Sequence, residues 1–249
     1  ADSDAAGFAP VLSDLLRESI AGIDGVTARH VRDRAVLPAE IARASREPAR
    51  FRVIDLTQTL SQEFPTIVLP PEFGQCAPFR MEEVSRYDER GPAWYWNNIS
   101  LGEHTGTHFD APSHWISGKD LPNNAVDTID AAKFIAPACV LDCSKECTAD
   151  PDFALTVPFV EQWEARHGRI EPGSWVLLRT DWSKRSYPDY AGLRDDGAHT
   201  PGPEPAVVNW FVEARDVHGF GTETIGTDFG QGHHFNPPYP AHFYMHGKG

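Results

Sequence analysis

The sequence predicts a mixed α/β or α+β chain on three observations. Runs rich in β-branched, aromatic or apolar residues alternate with two segments that carry helix start and stop signals. Turn formers bound each run. A length of 249 residues with 41 % hydrophobic content is enough for one sizeable core, although length alone also admits two domains.

The elements follow in chain order. Leu12, Leu15, Leu16, Ile20 and Ile23 recur at helical intervals ahead of Gly25, which predicts an amphipathic helix over 10–24. A second helix is expected from near Pro38 to about Ser45, so residues 1–50 read as an N-terminal helical arm and 51–249 as the main domain. Strands are expected over 51–56, 94–101, 138–143 and 174–180. Helices are expected over 156–167, stopped by Gly168, and over 205–217, stopped by Gly219.

The run His104-Thr105-Gly106-Thr107-His108-Phe109-Asp110-Ala111-Pro112-Ser113-His114 gathers three imidazoles and a carboxylate. Gly106 and the β-branched Thr105 and Thr107 disfavour a regular helix, so a strand end or tight turn is expected. In extended backbone even-numbered offsets share a face, which would aim His104, His108, Asp110 and His114 into one cleft. A divalent metal of borderline softness prefers imidazole with carboxylate, and a catalytic site uses three protein ligands while keeping a position for water. His104, His108 and Asp110 supply that count, leaving His114 as the proton-transfer candidate. The plainer alternative is a hydrogen-bonded polar loop.

Other features exclude more than they identify. A net charge of −14 repels phosphate backbones and anionic lipid, so neither nucleic acid nor a membrane surface is an expected partner. No apolar run approaches the roughly 18 residues of a membrane span. The first residues lack the basic and apolar regions of a secretory leader, and the expected compartment is the cytoplasm; a cleaved leader would leave the same start. Cys139, Cys143 and Cys147 fit neither zinc-pair nor redox spacing and read as ordinary thiols. Gly219, Gly221 and Gly226 do not form a nucleotide loop. Trp94 and Trp96 either stack on a flat substrate or belong to the core.

The histidine run resembles the His-x-Gly-Thr-His-x-Asp-x-Pro-x-His signature of the cyclase family of metal-dependent hydrolases, with every position filled. The segment 53–60 resembles that family's first strand. A further stretch, from Gly226-Thr227-Asp228 through Gln231 to His242, resembles its downstream active-site segment, with Gln231 similar to the isatin-hydrolase branch. The resemblance implies an α/β swivelling β/β/α domain from about residue 51 onward. It implies metal on His104, His108 and Asp110, general acid/base catalysis by His114, and a homo-oligomer. It also brings in Gln231 and His242 as additional ligands or substrate contacts. Asp228, like Trp94 and Trp96, is a candidate substrate contact. The formamidase branch adds a second metal held by a histidine like His242 and a glutamate; no candidate for that glutamate is visible here. Imidazole with carboxylate suits zinc, while an amide oxygen from Gln231 would favour manganese. The implied activity is opening of a cyclic amide such as isatin, with an N-formyl arylamine or a lactone as alternative substrates. A non-catalytic metal-binding or structural member is the alternative from another class.

Overall fold

The computed structural model describes residues 54–249; the expected arm helices at 10–24 and 38–45 lie outside the described residues. In chain order the elements are β1 (Arg80–Asp88), β2 (Gly91–Ser100), β3 (Ala138–Asp142), α1 (Ser144–Ala149), β4 (Ala154–Leu155), α2 (Val157–His167), β5 (Trp175–Arg179), α3 (Tyr187–Tyr190), β6 (Leu193–Arg194), β7 (Gly197–Ala198), β8 (Gly202–Pro203), α4 (Pro205–Arg215), β9 (Gly219–Thr222) and α5 (Pro240–Lys248). Short 3-10 turns lie at Pro112–His114, Ala131–Phe134, Trp182–Lys184 and Gly232–His234.

The centre is a parallel three-stranded sheet in the order β3, β5, β9. Parallel neighbours need a long crossover. α1 and α2 lie between β3 and β5, and α4 lies between β5 and β9, so the α/β class holds. Leu141, Val176, Leu178 and Phe220 from the three strands pack with Val160 of α2 and with Val207, Val208 and Phe211 of α4. Each fully buried aliphatic or aromatic side chain of this kind contributes roughly 1.5–3 kcal/mol. On β5, Trp175 stacks on Phe134 at 6.2 Å between ring centres and meets Phe109 edge-on at 6.1 Å. Phe109 is a neighbour of Asp110, so the histidine run is moored to the central sheet.

The sequence-derived helix over 156–167 matches α2. Thr156 caps it by accepting from the Phe159 N–H at 3.4 Å, and Gly168, at φ +93°, closes it by donating to Glu164 O. α4 ends two residues earlier than expected, at Arg215, with Asp216 in the left-handed region. Gly219 is therefore no helix stop; it opens β9. A Cβ there would lie 2.4 Å from the Trp175 ring, so the strand carries glycine because the indole lies against its backbone.

Two further differences concern strands. Among the described residues, 54–60 belong to none of the sheets, and the Ile54 and Leu56 side chains are exposed. β1 was not expected, because Arg80–Asp88 is charged and polar apart from a few residues. It pairs antiparallel with β2, the strand expected over 94–101, and its charges are used locally, as Arg90 bridges Glu83 at 2.8 Å and Asp88 at 2.5 Å. Among the described residues no helix is long and apolar enough to cross a membrane. The cysteines are free thiols; burial pushes the Cys147 thiol up to about 12 and raises Cys143 as well.

Candidate active site

β2 ends at Ser100 and the chain enters a turn held by the Gly102 N–H on Ala77 O and the Thr105 N–H on Gly102 O, each at 3.1 Å. Gly106 sits at φ +73°, a conformation open to glycine. The bend at Gly106, rather than an extended pleat, brings His104 back towards His108: their rings meet edge-on at 5.2 Å. The parity expected of an extended strand is thus replaced by a turn. Residues preceding the hairpin brace it from behind. The Gln58 N–H donates to Thr107 Oγ1 at 2.9 Å, and a Cβ on Gly106 would lie 2.6 Å from Leu60. His114 returns to the same place because Pro112–His114 is a 3-10 turn; its ring lies 4.1 Å from that of His104.

Asp110 is the centre of the cluster. Its Oδ1 lies 2.5 Å from His104 Nδ1 and 3.2 Å from His108 Nε2, and its Oδ2 lies 3.9 Å from His242 Nε2. Burial alone would raise the Asp110 pKa, but the hydrogen bond from His108 and the nearby charges of His108, His104 and His114 outweigh it and hold the carboxyl well below the usual range. His108 is raised by its bond to Asp110, against desolvation. His114 is lowered, first by burial and then by His104. The His108 Nδ1 faces the Gly106 carbonyl at 2.8 Å, which can only accept, so Nδ1 carries a proton, and it is Nε2, bonded to Asp110, whose lone pair a cation would take once the Nε2 proton is lost.

The second wall is α5. It starts after Tyr239, a left-handed residue, and carries His242 and His246 one turn apart. Their rings lie 5.5 Å from each other, and 5.5 and 5.8 Å respectively from that of His114. The helix is keyed to the histidine loop: Ser117 Oγ donates to Phe243 O at 2.8 Å, and a Cβ on Gly118 would lie 2.2 Å from Pro112 O and 2.7 Å from His246 O. His246 is buried, and desolvation, reinforced by His242, lowers it to about 4, so it is a neutral imidazole at neutral pH.

The donor set suits a divalent cation. One ligand atom each from His104, His108 and Asp110 lie within 4.8 Å of one another, and Asp110, His242 and His246 form a second such group sharing the same carboxylate. Borderline metals such as zinc and manganese take this mixture of imidazole nitrogen and carboxylate oxygen. Sequence reasoning missed His246. Its i, i+4 spacing from His242 was the available signal, muted because the helix follows a proline-rich stretch.

The remaining residues singled out in the sequence are placed as follows. Asp228 is 7 % exposed and directs both carboxylate oxygens at α5, accepting from Ala241 N at 2.6 Å and from His242 Nδ1 at 2.5 Å. Gln231 donates its amide to Ala198 O at 2.8 Å, which ties it to β7. Trp94 and Trp96 project from one face of β2, 50 % and 55 % exposed, rather than from the core.

The chain is similar to known proteins over most of its length. The model of the putative cyclase family matches residues 54–229. An isatin hydrolase of Roseibium aggregatum is 47 % identical over 197 residues, covering 78 % of this chain and 74 % of that protein. A structure of isatin hydrolase A from Labrenzia aggregata bound to benzyl benzoate superposes with a TM-score of 0.81 at 58 % identity, covering 85 % of this chain and 82 % of the other. A further isatin hydrolase, bound to the product analogue thioisatinate, gives a TM-score of 0.81 at 40 % identity over 85 % of this chain and 83 % of the other. Because the family match extends from beside the histidine turn's bracing segment to the Asp228 segment, the chain belongs to the cyclase family.

Proposed function

We propose that this protein is a metal-dependent hydrolase that opens a cyclic aromatic amide of the isatin class, with manganese or zinc held by His104, His108 and Asp110. The observation that carries the reading is the convergence of His104, His108, His114 and His242 around the single carboxylate of Asp110. The substrate class follows from the isatin hydrolases similar over most of the chain, one of them bound to thioisatinate.

A bound ion supplies a water of lowered pKa and a polarised carbonyl. The protein's own groups do the rest. Gly106 O orients His108, and Asp110 balances the imidazoles as a carboxylate. Water adds to the lactam carbonyl carbon as its proton passes to His114; the ring C–N bond then breaks, and His114 returns the proton to the departing nitrogen. Carboxylate and aryl amine result. Such proton transfer is typically worth on the order of 10² to 10⁴ in rate. Trp94 and Trp96, apolar and outward on β2, suit packing against a second copy in a homo-oligomer better than stacking on the substrate.

The test is absorbance-followed ring opening of isatin beside hydrolysis of N-formylkynurenine, each before and after chelation. Isatin opening that a chelator abolishes and manganese or zinc restores is the expected result. Turnover of N-formylkynurenine with isatin untouched would overturn the substrate reading, and chelator-insensitive turnover would overturn the metal.

A further inference from the structure

The buried carboxylate of Asp228 lies behind the cluster, outside the proposed ligand triplet. Its Oδ1 accepts from the Ala241 N–H at 2.6 Å, and its Oδ2 faces the His242 N–H at 3.3 Å and His242 Nδ1 at 2.5 Å. α5 begins with Pro240, and its own capping residue, Tyr239, contributes no side-chain hydrogen bond, so Asp228 caps the helix from elsewhere in the chain. The segment bearing it is clamped. A Cβ on Gly202 would lie 2.2 Å from Phe229 N, a Cβ on Gly230 would lie 2.5 Å from Ala198 O, and the Gly230 N–H donates to Thr200 O at 2.9 Å. The His242 ring is held on its other side by Trp115, 4.6 Å between ring centres.

We propose that Asp228 is a positioning residue: it holds His242 as the Nδ1-protonated tautomer, so that the Nε2 lone pair faces Asp110 and the place where His104 and His108 converge. An ionised carboxylate only accepts, so the proton between Asp228 Oδ2 and His242 belongs on Nδ1. Nε2, 3.9 Å from Asp110 Oδ2, is then the atom presented to the site. Metal-facing histidines are commonly oriented in this way by an outer carboxylate, whose loss costs about 10- to 100-fold in metal affinity or activity. The same cap sets the start of α5, and with it the position of His246 one turn further on.

Asp228→Asn separates the tautomer from the cap. One side-chain oxygen can still accept from Ala241 N, but the amide then presents only donors to His242 Nδ1 and forces the ring proton to Nε2. The first measurement needs no variant: long-range ¹H–¹⁵N spectra of the zinc-loaded wild-type protein at neutral pH, with the His242 ring assigned by its absence in His242→Gln. A protonated Nδ1 with unprotonated Nε2 is expected; a protonated Nε2 would overturn the proposal. This readout is independent of the substrate reading above, on which only the activity arm rests. In that arm Asp228→Asn lowers isatin turnover about 10- to 100-fold in the wild-type background and less than about 3-fold in the His242→Gln background. Equal losses in both backgrounds would show that Asp228 acts other than through His242 and would overturn the proposal.

Discussion

His104, His108 and Asp110 stand on a turn that folds on itself, whereas His242 and His246 stand on a helix that the rest of the domain must place. The turn is closed by local contacts: Gly106 at φ +73°, the Gly106 carbonyl on His108, and Asp110 between the two rings. α5 is placed by distant ones, through Asp228, Ser117 and Gly118. The turn is more open to solvent than the helix wall, where His246 is 8 % exposed. Damage to the turn should therefore remove chemistry and leave the fold, while damage at the join between loop and helix should reduce both.

Asp110→Ala breaks the turn at its centre and carries the largest expected effect. It removes the carboxylate that faces His104, His108 and His242, so bound metal and turnover should both disappear, read by elemental analysis and by the isatin assay. A thermal midpoint within a few degrees of wild type would place the loss in the site, as the comparison requires. His114→Ala comes next: metal retained, turnover down on the order of 10² to 10⁴. Wild-type turnover in that variant would remove His114 from the mechanism.

Gly118→Ala probes the join. Both atoms that its methyl would meet, Pro112 O and His246 O, belong to the backbone and cannot swing away. A loss of about 1–3 kcal/mol is expected by denaturant titration, together with reduced turnover. Unchanged stability would show that the helix wall is not keyed to the loop in this way. The smallest effect is a pH dependence of the metal-free protein. His246 titrates near 4 when folded, against an ordinary 6.5 in the unfolded chain, because burial and then His242 disfavour its cation. Between those values the unfolded state binds more protons, so stability is complete above 6.5 and falls as pH drops towards 4. In His246→Gln the fall over that window should be shallower; an identical slope would reject the assignment.

The same contrast explains what the sequence discloses. α2 is legible because Thr156 and Gly168 mark its ends chemically, and β3 and β5 because each is a short apolar run bounded by turn formers. The histidine triplet is legible because its ligands lie close together in one motif. β1 is hidden by charges that pair within the hairpin, and β9 by glycines that make room for Trp175 and Leu177. α5 is hidden because its start is a left-handed Tyr239 and its cap lies twelve and more residues upstream, in Asp228. Capping across the chain leaves no local signature, so His246 and the orientation of His242 emerge only once the fold is built.

The most direct measurement is the metal content of the purified wild-type protein, followed through chelation and reloading alongside isatin turnover. The account expects manganese or zinc at one or more equivalents per chain, lost with activity on chelation and regained with it. Full turnover in a chain stripped of metal would contradict it.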